Sequence, residues 1–211
     1  MVRRPRPHDL LWLTSPCALA FDDQLPAWAT PRWLAVAPVV MRRATAQRGD
    51  ALPVGVRGAS RSERHAAWAD LGDVLRVVEP ETVARAAARS RSVGRSDLGC
   101  LRSLVRLAPA FAESTLAWGV TGSVGFTLAS GFDVLHVDSD LDLLLRAPAP
   151  DMAPALRSIG AALRGLPARV DVQVDTGVGA FALAEWLRRS GPVLLKTNAG
   201  PRLADDPWAA A

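Results

Sequence analysis

Asp140 and Asp142 flank Leu141 in SDLDLLLR, at the head of an apolar run in a chain of 211 residues. On a strand, successive side chains point to opposite faces, so the two aspartates share one face and Leu141, Leu143 and Leu145 the other. Their Cα atoms then lie ~6.5 to 7 Å apart, at about 3.3 Å of rise per residue. Two ionised carboxylates on one face of a partly buried strand repel each other and lose hydration. A hard divalent cation removes both penalties, because Mg²⁺ takes oxygen ligands and keeps waters or substrate phosphates as the others. The plain alternative is an exposed strand edge with both carboxylates in water, which suits one aspartate better than two within LDLLL. Asp138, Asp140 and Asp142 also mimic the opening of an EF-hand calcium loop. That loop needs glycine at its sixth position and glutamate at its twelfth, where Leu143 and Ala149 stand, so the calcium reading fails.

A third acid lies downstream in ARVDVQVDT, where Asp171, Gln173 and Asp175 share one face and Val170, Val172 and Val174 the other. If this strand neighbours the first, Asp171 or Asp175 completes a three-carboxylate site. Upstream, Gly122 and Ser123 stand where a strand should turn into a helix. Glycine lets a phosphate approach the backbone, and a helix N-terminus offers free N–H groups; an ordinary turn and cap is the alternative. Lys196 is the only lysine beside 24 arginines, a residue chosen where a compact ammonium is needed or simply left by genome composition. Arg57, Arg61 and Arg64 in VRGASRSER form either an anion-binding rim or a solvated loop and helix start.

These residues need elements to position them. RWLAVAPVVMRRA (32–44) and ALPVGVRG (51–58) predict a hairpin within a small N-terminal α+β unit. PETVARAAARSR (80–91) predicts a helix opened by proline, and the polar RSRSVGRSD (89–97) a linker. Beyond it the pattern predicts helix 97–113, strand 117–120, helix 123–130 ended by Gly131, strand 140–146, helix 152–164, strand 169–174, helix 179–189 and strand 192–196. Such alternation implies a sheet with helices packed against it. The expected division is an N-terminal unit, 1–90, that binds substrate or carrier and a catalytic unit, 91–211.

A hydrophobic content of 49% suits a chain with a substantial core, and no apolar stretch reaches the length of a membrane span. The basic start, MVRRPRPHDLLWL, has no clear small-residue cleavage site and reads as mature sequence. Cys17 and Cys100 make neither a ligand cluster nor a disulfide framework, which points to a reducing cytoplasm. A net charge of +4 agrees with a polyanionic substrate, but no basic run with interleaved aromatics marks a nucleic-acid surface. The seven tryptophans are scattered and read as packing residues, with Trp208 fastening the C-terminal segment. His65 and His136 have no ligand spacing and read as structural.

Gly122-Ser123, Asp140-Leu141-Asp142 and Val170-Asp171-Val172 together resemble the signature of the nucleotidyltransferase (polymerase-beta-like) superfamily. RPHDLLWL, PVGVRG, WGVTGSVGFTLASG, SDLDLLLR, DVQVDT, EWLRRSGPVLLKT and GPRLADDPW extend the likeness along the chain to the phosphoribosyl-dephospho-CoA transferase family, the holo-acyl-carrier-protein synthases of malonate decarboxylase. The resemblance implies an α+β fold, with a polymerase-beta-like mixed sheet, helices and a smaller N-terminal α+β domain. It implies attachment of 2′-(5″-triphosphoribosyl)-3′-dephospho-CoA to a serine of the apo-acyl-carrier subunit, with release of diphosphate. Asp140 and Asp142 carry over as catalytic and metal-binding residues, with Asp171 the third acid and Mg²⁺ or Mn²⁺ the metal. Gly122, Ser123, Lys196, Arg57 and Arg61 are then candidates for holding phosphates, and His8 a further candidate without a role. A generic nucleotidyltransferase acting on another small-molecule, RNA or protein acceptor is the alternative reading, and a binding module without chemistry is disfavoured by three intact acids.

Overall fold

Period-two alternation and antiparallel pairing build the first part of the chain. In the computed structural model, which describes residues 4–46, 49–188 and 191–209, the strands β1 (Leu10–Leu13), β2 (Leu19–Ala20), β3 (Val39–Met41), β4 (Ala51–Arg57), β5 (Arg64–Asp70) and β6 (Val74–Val78) form one sheet. Their order is β2-β5-β4-β3-β1-β6. The expected hairpin is present as the β3–β4 pair, with Val40 opposite Gly55. It is shorter than the sequence predicts, because Pro31–Leu34 forms a helical turn, α1, capped by the Thr30 hydroxyl. Arg64 opens a strand instead of a helix: β5 pairs along its full length with β4, and Arg57 faces Arg64 across the ladder.

Helix α2 (Pro80–Ala88) has proline at its first position and buries Val83, Ala84 and Ala87. It packs on β7 (Ala117–Val120) of the second sheet and on the helix α5 (Gly122–Ser130) that follows it. The expected linker at 89–97 is partly ordered. Ser90 caps a short helix α3 (Arg91–Gly94) whose Val93 is buried, and α3 packs on α4 (Gly99–Glu113).

The second sheet contains β7, β8 (Leu141–Arg146), β9 (Val170–Asp175), β10 (Ala180–Ala182), β11 (Val193–Thr197) and β12 (Gly200–Ala204), in the order β12-β11-β10-β9-β8-β7. β8 and β9 are parallel, joined through α6 (Ala153–Ala162), and the other pairs are antiparallel. The sequence predicts one helix over 179–189. The chain instead forms β10 beside β9 and then α7 (Leu183–Leu187). An apolar run this short fits either element by periodicity, and an open sheet edge on β9 decides it.

One face of this sheet is apolar: Leu141, Leu143, Leu145, Val172, Val174, Phe181, Val193 and Leu195 are buried in a single core with Leu104, Leu107 and Phe111 of α4 and Leu156 and Ile159 of α6. The opposite face carries the charges, so burying the leucines fixes where the aspartates point. Trp208 donates its indole N–H to the Ala147 carbonyl at 2.8 Å and packs edge-on against Phe181 and Trp186, fastening the C-terminal segment. Among the described residues no helix is long and apolar enough to cross a membrane.

Candidate active site

Strand register brings two of the acids side by side. In the parallel β8–β9 ladder Asp142 stands directly opposite Asp171, and both side chains leave the polar face. Asp140 lies one residue before β8 and reaches the same cavity. Asp175 is four residues further along β9, opposite Arg146. It is buried and ion-paired with both Arg146 and Arg43, and their charges, with a hydrogen bond from Gly177 N–H, hold its pKa below the usual carboxylate value against the cost of burial. Asp171 is therefore the acid beside Asp142, and Asp175 belongs to a buried ionic network.

The three carboxylates of the site are unequally compensated. Asp140 pairs with Arg61 at 3.2 Å and Asp171 with Arg169 at 3.0 Å. The Asp142 carboxylate accepts no hydrogen bond from any described residue. Burial raises its pKa above the usual carboxylate value, the charges of Asp171 and Asp140 push it further, and Arg64 and Arg61 oppose them. Among the described residues no group of three or more Asp, Glu, His or Cys side chains is arranged to hold a metal ion.

The turn before α5 is shaped around Asp142. Thr121 N–H donates to the Asp142 carbonyl at 2.9 Å, locking the end of β7 to β8. Gly122 has φ +61, and a Cβ there would stand 1.8 Å from Asp142 Oδ2. Only glycine gives this close approach in this conformation. Ser123, the next residue, accepts a 2.7 Å hydrogen bond from Arg57 of the first sheet. Arg57 is only 5% exposed, and its guanidinium also lies over the Phe126 ring. This excludes a solvated loop for Arg57, whereas the Arg61 side chain is 68% exposed.

The sheets enclose a cavity of about 1250 Å³ lined by Asp140, Asp142, Asp171, Gly122, Ser123 and Arg57, and also by Arg61, Arg64, His8 and Lys196. The structure thus collects these candidates in one cavity, but not at one point, and leaves Asp175 outside its lining. Lys196 lies on β11, beyond β10, level with Asp175 and away from the Asp142–Asp171 pair. His65 and His136 line the cavity as well. His8 sits in left-handed backbone (φ 75) within hydrogen-bonding reach of Gln173, and its pKa is lowered to about 4 by burial and by Arg43 and Arg146. The sequence offered no pointer to Arg43, whose partner Asp175 is distant along the chain, or to Arg169, which pairs with Asp171 two residues away. The one readable signal was Arg146 itself, a charge ending an apolar strand.

Comparison with known proteins assigns the chain to a family. Residues 6–80 match the N-terminal domain, and residues 83–207 the C-terminal domain, of phosphoribosyl-dephospho-CoA transferase MdcG. The chain belongs to the phosphoribosyl-dephospho-CoA transferase family. It is 44% identical to a phosphoribosyl-dephospho-CoA transferase of Pseudomonas putida (strain GB-1), covering 98% of this chain and 96% of the relative. It is 43% identical to the protein of that name from Klebsiella pneumoniae (strain 342), over 99% and 98% of the two chains. A third, from Azotobacter vinelandii, is 43% identical over 97% and 94%. No solved structure matches the chain. The protein is a transferase with an α+β fold, and membership of this family narrows the chemistry its cavity performs.

Proposed function

We propose that the protein transfers the phosphoribosyl-dephospho-CoA group of 2′-(5″-triphosphoribosyl)-3′-dephospho-CoA to a serine of the apo-acyl-carrier subunit of malonate decarboxylase, releasing diphosphate. The observation that carries this reading is the Asp142–Asp171 register pair, with Asp140 beside it, facing Ser123 and Arg57 across the cavity. The serine hydroxyl attacks the α-phosphorus, the bond to the bridging oxygen breaks, and diphosphate leaves with its electron pair. Little covalent work falls to the protein in such a transfer, so positioning and charge stabilisation dominate.

The residues fit a hard divalent cation, Mg²⁺ or Mn²⁺. Asp142 offers an oxygen donor that no described residue satisfies, and its ionisation is penalised by two neighbouring carboxylates until a cation is present. Mg²⁺ needs only one or two carboxylates, with waters and substrate phosphates completing its shell, so a three-residue cage is not required. Asp140 and Asp142 would hold it; when bound it neutralises charge on the transferring and leaving phosphates. Arg57 fixes Ser123 at the start of α5, where the glycine turn leaves backbone N–H groups free for the triphosphate. Arg61 is exposed and free to exchange Asp140 for a phosphate oxygen. The Asp171 side chain is 45% exposed against 18% for Asp140, so it is the carboxylate a docked carrier reaches and the acceptor of its serine proton.

The test is a mass measurement of purified apo-carrier after incubation with the protein, Mg²⁺ and the triphosphoribosyl donor. The carrier should gain the mass of one phosphoribosyl-dephospho-CoA group and lose it from the target peptide when the serine is alanine. An unchanged carrier under conditions that consume the donor would redirect the reading to another acceptor.

A further inference from the structure

The cavity has two cationic ends, and they differ in how their charge is used. At the Gly122 end, Arg57, Arg61, Arg64 and Arg169 meet the three carboxylates Asp140, Asp142 and Asp171. At the other end stands Lys196, which pairs in register with Ala180, itself opposite Asp175. Lys196 is thus four residues along the strand direction and two strands across from Asp171. At about 3.3 Å per residue and 4.8 Å per strand the separation is about 16 Å.

Its surroundings carry an excess of positive charge. Lys196 is exposed at the cavity wall and forms no ion pair among the described residues. Arg42 and Arg43, which follow β3, line the same cavity. The Thr45 hydroxyl donates to the Asn198 carbonyl at 3.2 Å, holding the segment after β3 against the β11–β12 turn. Arg43 shares Asp175 with Arg146, and Arg146 shares Glu81 with Arg6. Arg42 donates to the Val54 carbonyl and has no carboxylate partner among the described residues. The carboxylates of this end are therefore already matched, and Lys196 is left over.

We propose that this end is a second anion subsite, centred on Lys196, which holds the diphosphate of the donor's dephospho-CoA arm while the triphosphate lies at the Gly122 end. The inference rests on the proposed function for the identity of the donor. That molecule carries two phosphate groups, a triphosphate on one ribose and a diphosphate on the next, with both sugars between them. A triphosphate alone is too short to bridge the two ends. Between them the lining turns from charge to neutral hydrogen-bonding groups, His8 and Gln173, which suit sugar hydroxyls. The subsite also accounts for the position of the single lysine: a flexible ammonium at the rim follows a phosphate without demanding planar, bidentate geometry.

Binding of two probes to the full-length protein separates the ends. Dephospho-CoA carries only the arm with the diphosphate, and inorganic triphosphate mimics only the reacting end. Titration calorimetry of wild-type protein, Lys196→Met and Arg61→Met with each probe should show a crossed pattern. Lys196→Met weakens dephospho-CoA about tenfold, as expected for one charge-assisted contact, and leaves triphosphate unchanged. Arg61→Met does the reverse. The proposal is overturned if Lys196→Met weakens triphosphate as much as dephospho-CoA, if it leaves dephospho-CoA unchanged, or if wild-type protein does not bind dephospho-CoA. A crossed pattern together with an unmodified carrier would keep the subsite and sink the carrier reading instead.

Discussion

Asp142 is held in a state that disfavours its own charge. Its folded pKa is raised by burial and by Asp171 and Asp140, so the penalty is absent at pH values below the unfolded carboxylate range. It grows as pH rises from the unfolded carboxylate value through the raised one. Asp142→Asn should therefore stabilise the metal-free protein at pH 7 and lose that advantage in acid, measured by urea unfolding at both pH values. The same variant should lower transfer by ~10²-fold or more, because charge stabilisation dominates phosphoryl transfer. Near-native carrier modification by this variant at saturating Mg²⁺ would remove Asp142 from the catalytic set. His8 titrates with the opposite sign. Its pKa falls from 6.5 to about 4 on folding, so the unfolded chain takes up a proton that the folded one does not. Stability contributed there is lost as pH drops from about 6.5 to about 4 and levels off below. His8→Asn, which tolerates the left-handed backbone, should flatten the dependence of unfolding free energy on pH within that window. At this scale the acids were legible because strand alternation alone puts Asp140 and Asp142, and Asp171 and Asp175, on a face. Strand alternation alone left Asp171 and Asp175 both open, since the choice depends on which one meets Arg43 and Arg146.

The β7–α5 turn shows how an element can serve one side chain. Gly122 and Gly131 both have positive φ, +61 and +78, and bracket α5. A Cβ at Gly131 meets nothing within 4 Å, whereas one at Gly122 collides with Asp142. Alanine at either position should cost ~1 kcal/mol or more through backbone strain. Only Gly122→Ala should also displace Asp142, and a shift of about 1 Å at such a group can cost ~10²-fold in rate. Comparing kcat of the two variants, corrected for the folded fraction by circular dichroism, checks this: equal activities would mean that the close approach to Asp142 has no catalytic weight. Gly131 was readable as a helix stop and Gly122-Ser123 as a strand-to-helix turn. β5 and β10 were not readable. RHAAWAD is alanine-rich and polar, and becomes a strand only because β4 offers a full-length partner. β10 likewise exists because β9 leaves an edge.

The two sheets that meet across the cavity are held by more than apolar contact, because a buried ionic network also spans them. Arg146 of β8 bonds Glu81 of α2 and Asp175 of β9. Asp175 also binds Arg43 from the segment after β3, and Glu81 binds Arg6 from the segment before β1. The Arg146, Glu81 and Asp175 side chains are each about 10% exposed or less. Sequence alone could not show this network, because its members are scattered from Arg6 to Asp175 and none has local ion-pair spacing. The apolar cores are joined too, since Leu10, Ala37 and Val78 of the first part pack in the same cluster as the leucines of β8. The two sheets are then expected to unfold as one unit. Arg146→Met keeps the aliphatic bulk but strips Glu81 and Asp175 of a shared partner, leaving buried carboxylates undercompensated. Breaking a buried pair from one side costs ~3–5 kcal/mol, so the midpoint in urea should fall accordingly. If cooperativity holds, tryptophan fluorescence and far-ultraviolet circular dichroism will move together and the urea slope will match that of the wild type. Separated transitions, or a reduced slope, would show that the network and not the joined core makes the two sheets a single folding unit.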